Sequence, residues 1–141
     1  MNESEEVLAR IRAINASAAF NRWCGIEVVA AEPGAVTIAM PWRPDVGQYA
    51  GYLHAGLLGA LIDTSCGFAA ATLAGRVLAS HYSVNCLRPA VGERFIARAR
   101  VVKPGRTQIF TASELYAQAD GAEKLVATGE TLLVVAPQPG G

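Results

Sequence analysis

Apolar residues recur at three- and four-residue steps over residues 3–22, at Val7, Leu8, Ile11, Ile14 and Ala18. That spacing predicts an amphipathic helix, loosening into a turn over residues 17–21 ahead of Trp23. The period then changes. Ile26 to Ala31 is β-branched and apolar, Glu32-Pro33-Gly34 reads as a turn, and Ala35 to Met40 reads as a second strand, together a hairpin. Residues 41–48 hold two prolines and a glycine and read as a loop. From His54 to about Leu73 the chain is apolar on every side, with Gly75 placed to stop a helix. Four strand-like segments follow. In Val77 to Leu87, alternation puts Leu78, Tyr82, Val84 and Cys86 on one face. In Phe95 to Val101, Phe95, Ala97, Ala99 and Val101 oppose Arg98 and Arg100. Thr107 to Ala117 and Lys124 to Val135 complete the set, with turns at Lys103-Pro104-Gly105 and Asp120-Gly121. The tail from Pro137 to Gly141 is expected to be disordered.

The apolar helix shapes the architecture. It carries Gly56, Gly59 and Gly67 among many alanines. Each glycine lowers helix propensity by about 1 kcal/mol, so several in one helix imply close backbone packing. A helix apolar all round must be covered on all sides. The later strands, joined by short turns, are expected to form an antiparallel sheet that curls around it. The expected class is α+β, one domain over residues 1–141.

A hydrophobic share of 52% is enough for a sizeable core. Twelve basic residues balance twelve acidic ones, which argues against a non-specific grip on nucleic acid. Cys24, Cys66 and Cys86 are widely spaced and odd in number, and the two histidines lie far apart, so no metal site or redox motif is expected. The acidic start, Met1 to Glu6, does not resemble a secretory or transit peptide, and a reduced cytoplasmic setting is expected. The stretch from Leu53 to Gly75 has the length of a membrane span. Asp63 near its middle, the lack of aromatic or basic anchors at both ends, and the strands elsewhere all favour a buried helix instead.

The candidate chemistry lies in Gln48-Tyr49-Ala50-Gly51-Tyr52-Leu53-His54-Ala55-Gly56 and the run on to Asp63. Asp63 follows His54 by nine positions, Gln48 precedes it by six, and Leu87-Arg88-Pro89, Gly92 and Gly105-Arg106 come later. In this order and spacing the chain, over about residues 20–135, resembles the PaaI-like hotdog-fold acyl-CoA thioesterases. In that family a His-Gly-Gly turn opens the central helix and an acid follows nine positions on. The sequence departs from the pattern at Ala55, where the family has glycine; the backbone N–H survives, with an added methyl beside it. The resemblance implies a hotdog fold, hydrolysis of an acyl-CoA without cofactor or metal, and a homodimer or a tetramer made of two dimers.

Thioester hydrolysis needs a base or nucleophile, a water, and a donor for the developing oxyanion. Ala55 and Gly56 lie at a helix N-terminus, which presents unpaired N–H groups and a positive dipole end. Asp63 is the only carboxylate in the apolar helix, and burial there should raise its pKa. Its role is general base or nucleophile. Asp63 stands eight residues beyond Ala55, about 12 Å along the axis, too far for both to act on one carbonyl. A two-fold dimer with antiparallel helices would pair Asp63 of one chain with Ala55 of the other. Gln48 would orient the water or the carbonyl, and His54 shapes the turn and caps the helix. Arg88 and Arg106 are candidates for CoA phosphates, against ordinary solvated arginines. His81, opposite Tyr82 on its strand, is a candidate for lining the acyl pocket, against a surface histidine. Cys66, one turn from Asp63, reads as a small buried hydrophobe.

Three other functions compete. A hotdog hydratase or dehydratase would pair a histidine with an acid in a differently patterned loop, absent from this sequence. An acyl-CoA binding module would keep the fold and dispense with Asp63. A purely structural dimer domain leaves the buried acid unexplained.

Overall fold

The computed structural model describes residues 1–137, so most of the expected disordered tail lies outside the described residues. The long first helix of the sequence reading is two helices. Helix α1 spans Glu3–Ser17 and opens with a capping box between Asn2 and Glu5. It breaks at Ala18, which is extended (φ −95°, ψ 119°), and a short α2 runs Ala19–Cys24 to Gly25 at φ 76°. The expected turn before Trp23 is therefore helical. Side chains of α1 and α2 fasten this region to the hairpin: Arg12 donates to the Val28 carbonyl at 3.2 Å, Asn15 to that of Ile26 at 2.8 Å, and Asn21 to the Asn15 side chain at 3.0 Å.

Strands β1 (Glu27–Glu32) and β2 (Ala35–Pro41) form the expected hairpin. Helix α3 spans Ala55–Ala74 and ends at Gly75, whose positive φ of 77° explains the glycine. Strands β3 (Val77–Cys86), β4 (Arg94–Lys103), β5 (Gln108–Ala119) and β6 (Ala122–Val135) follow. The six strands form one antiparallel sheet in the order β1-β2-β4-β5-β6-β3. The β5–β6 hairpin turns through Asp120 and Gly121, both at positive φ.

The sheet wraps α3, the hotdog arrangement expected from the sequence. Leu61, Ile62, Cys66, Ala69 and Ala70 are fully buried against Ile38, Phe95, Leu115 and Leu133 from the strands. By length and composition α3 could cross a membrane, but 61% of its most apolar window is buried inside the fold. Its small residues do what close packing requires. A Cβ on Gly59 would stand 3.4 Å from the Tyr82 ring. On the sheet side, a Cβ on Gly129 would lie 2.6 Å from Ile62 Cγ2 and 2.5 Å from the Ser83 carbonyl. Gly129 is thus where the helix comes down onto β6, one residue before Asp63.

One strand departs from simple alternation. β3 bulges at Ser80: Ala79 pairs with Leu133 but His81 pairs with Leu132. The extra residue reverses the phase. Ala79, Tyr82, Val84 and Cys86 share the face turned to α3, while Leu78 shares the outer face with His81, not with Tyr82 as strict alternation had it. β3 is also an edge of the sheet, and most of it is exposed.

Candidate active site

The loop ahead of α3 is held by its own backbone and one side chain. The Gln48 N–H donates to the Tyr52 carbonyl at 2.8 Å, and the Gly51 N–H to the Gln48 carbonyl at 3.0 Å, with Gly51 at φ 85°. The Gln48 side-chain oxygen accepts from the Tyr52 N–H at 3.2 Å and from the Ala50 N–H. That oxygen is spent on the loop, so only the Gln48 amide NH₂ is left to reach outward, as a donor. The loop closes where Leu53, buried, donates to the Ala90 carbonyl at 3.0 Å and His54 donates to that of Val46 at 3.0 Å.

His54 is the N-cap of α3. Its Nδ1 accepts from the Gly56 N–H at 2.8 Å, and its carbonyl accepts from Leu57 and Leu58. A ring nitrogen takes the place of the usual cap hydroxyl or carboxylate. The same contact explains Gly56, since a Cβ there would stand 2.9 Å from Nδ1. It also separates the two amides proposed as oxyanion donors. The Gly56 N–H is engaged by His54. The Ala55 N–H, exposed at the first position of the helix, has no acceptor among the described residues.

Asp63 lies two turns further along. Its side chain is half-buried and makes no hydrogen bond or ion pair among the described residues. Burial raises its pKa above the ordinary 3.8. Cys66 is fully buried, and burial pushes its thiol up as well, so it stays protonated and unreactive. Asp63 opens into a groove of about 700 Å³ between α3, α1 and the start of β3. Its walls include Gly67, Phe68 and Ala71 of α3, Ile14 of α1, Val77 of β3 and Leu133 of β6.

Within one chain the structure brings Gln48, His54, Ala55 and Gly56 together at the head of α3, and leaves Asp63 about 12 Å down its axis. Arg88 follows β3 at one end of the sheet, where its N–H and that of Leu87 meet the Val126 carbonyl. Arg106, in the β4–β5 turn, lies at the other end, next to Thr107, which accepts from Val135. Both arginines are exposed. His81 sits on the outer face of the sheet, away from α3 and Asp63. The groove and its residues Arg10, Ile14 and Arg76 were not among the sequence candidates. Arg10 meets α3 across 61 residues of sequence, and no local pattern signals that.

The family model of the thioesterase superfamily matches residues 50–124, which include His54, Asp63, Arg88 and Arg106. A thioesterase family protein from Silicibacter pomeroyi is 37% identical, with a TM-score of 0.88, over 91% of this chain and 96% of that one. Zebrafish thioesterase superfamily member 2 is 27% identical, with a TM-score of 0.79, over 96% of this chain and all (100%) of that one. The Escherichia coli PaaI protein, from the phenylacetic acid degradation operon, shares the fold at 20% identity and a TM-score of 0.88, over 96% of this chain and 97% of that one. No curated protein matches the chain. The family match over residues 50–124 and the 37% identity along nearly the whole chain lead to one conclusion: the protein belongs to the thioesterase superfamily.

Proposed function

We propose that the protein hydrolyses an acyl-CoA thioester, at a site that two copies of the chain build together. One observation carries the reading: Asp63, half-buried in the most apolar helix of the fold, has no hydrogen-bond or ion-pair partner among the described residues. An acid left in that state costs stability, and a structural role would be expected to satisfy it. Its raised pKa suits a base.

The reaction adds water to the thioester. Asp63 takes a proton from the water as its oxygen bonds to the carbonyl carbon, or attacks that carbon itself and is released by water in a second step. The carbonyl oxygen becomes an oxyanion, held by the Ala55 N–H of the partner subunit. Collapse breaks the C–S bond, the thiolate takes the proton, and a free acid and CoA leave. The Gln48 NH₂ donates to the carbonyl oxygen or to the water, and His54 serves by fixing Ala55. The 12 Å separation supports a two-fold arrangement, as does β3, an edge strand of the sheet that a second copy could pair with. Such pairing is antiparallel, so it also carries the partner's Arg106 to the end of the sheet where Arg88 lies. The two arginines then flank one mouth, placed for the phosphates of CoA.

The test is thiol release from a panel of acyl-CoAs, with Asp63→Asn as control. Release by the native chain, reduced by a factor of about 10² to 10⁴ in the variant, is the expected result. No release from any thioester, or full activity in the variant, would overturn the proposal.

A further inference from the structure

The groove beside Asp63 has different chemistry at its two ends. Its α3 wall is one stripe of the helix: Asp63 and Thr64, then Gly67 and Phe68, then Ala71. Asp63 is therefore at one end and Ala71 at the other. The middle is apolar. At the far end the groove meets two guanidinium groups, Arg10 from α1 and Arg76 from the turn after α3. Among the residues lining it, Asp63 is the only acid.

Part of this has a structural explanation. α3 has no basic residue in its last turn, and Arg10 supplies one from another helix, donating to the carbonyls of Ala71 at 2.9 Å and Thr72 at 3.1 Å. That accounts for two of the five N–H groups on Arg10. It does not account for Arg76, whose side chain makes no hydrogen bond or ion pair among the described residues. A simple acyl tail would be better served by an apolar end.

We infer that the groove takes an acyl group whose far end carries a carboxylate, bound by Arg76 and Arg10. The inference rests on the hydrolase reading and names its substrate class, the mono-thioester of a dicarboxylic acid. The span sets the length. Ala71 lies eight residues beyond Asp63, about 12 Å along the axis. An extended chain advances roughly 1.2 Å per bond. Allowing about 3 Å at each end for the reacting contact and the ion pair, about 6 Å remains for roughly five bonds, so an acyl group of roughly six carbons reaches from one to the other. The apolar middle holds its methylenes, and a guanidinium fits a carboxylate with two parallel hydrogen bonds.

The test compares kcat/KM for thioesters of a six-carbon monoacid, the matching ω-hydroxy acid and the matching diacid. Each is made both with CoA and with N-acetylcysteamine, which has no phosphate. The expected result is a preference of tenfold or more for the diacid over the monoacid in both series, with the ω-hydroxy acid between them. Arg76→Ala should shrink that preference below threefold, and Arg76→Lys should restore part of it. Preference for the monoacid, or a diacid preference unaffected by Arg76→Ala, would overturn the inference. So would an effect of Arg76→Ala confined to CoA esters, which would make Arg76 a phosphate contact. If no thioester releases thiol, the hydrolase reading fails by itself. Calorimetric binding of the two free acids then decides the groove: tighter binding of the diacid, lost in Arg76→Ala, supports it, and equal binding refutes it.

Discussion

The shared site can be tested with two variants that are each inactive and restore activity together. Asp63→Asn keeps the size of the side chain and removes the base. Ala55→Pro removes the one amide at the head of α3 that has no acceptor among the described residues. Proline is favoured at the first position of a helix, where its missing N–H breaks no bond. The residue before it must be extended, and His54 already is, at φ −59° and ψ 135°. The backbone is therefore expected to accept the change while the oxyanion loses its donor. The first variant should lose a factor of about 10² to 10⁴, the second about 10² to 10³. With Asp63 and Ala55 about 12 Å apart along α3, the shared-site proposal has each site draw on both chains. In a mixed dimer one site collects both lesions and the other collects neither. Random pairing makes about half the dimers mixed, so about a quarter of all sites work. The assay is thiol release after the two variants are unfolded together and refolded at equal concentration. Recovery to about a quarter of native activity is expected. Activity no greater than the sum of the parents, in a mixture shown to contain mixed dimers, would refute the shared site.

Asp63→Asn should also raise the melting temperature at neutral pH. Burial raises the Asp63 pKa in the folded state, so between 3.8 and the raised value the folded chain binds more protons than the unfolded one. Stability attributable to this group falls as pH rises through that window and stays low above it. The gain from Asn should fade on acidification, and calorimetry across pH would show it; a variant less stable than native at neutral pH would count against the unpartnered acid. His54→Ala removes the α3 cap at a cost of about 1 kcal/mol, a drop of roughly 3–5 °C in melting temperature, and lowers turnover by loosening Ala55. His54→Asn, with a cap-competent side chain, should recover most of the stability. Gly129→Ala places a methyl against Ile62 and the Ser83 carbonyl and should cost about 1–3 kcal/mol, read by urea unfolding.

Much of this fold is legible because it depends on local signals. Gly75 stops α3 as glycine stops helices generally, and Asp120-Gly121 turns the last hairpin as such pairs do. The break at Ala18 has no such mark, since alanine carries no capping group and the hydrophobic spacing runs straight across it. Leu78 went to the wrong face because a bulge depends on strand register, and nothing in the composition of Ser80 distinguishes it from a paired residue. At the site, the spacing of His54 and Asp63 is readable along one helix. That the Gly56 amide is already taken, and that Arg10 reaches the end of α3, are facts of three-dimensional packing.

β3 offers ten residues of edge, Val77 to Cys86, with no lysine, glutamate or proline among them. Natural sheets blunt open edges with such residues, because bare backbone recruits strands from other molecules. Here one bulge is the only such device among the described residues of the strand. On the shared-site reading a second copy covers this edge, and mass action then governs both stability and catalysis. Dilution would leave each chain with half a site and an adhesive flank, so the melting temperature should climb with protein concentration. The same pairing that assembles the site would then protect the chain from aggregation.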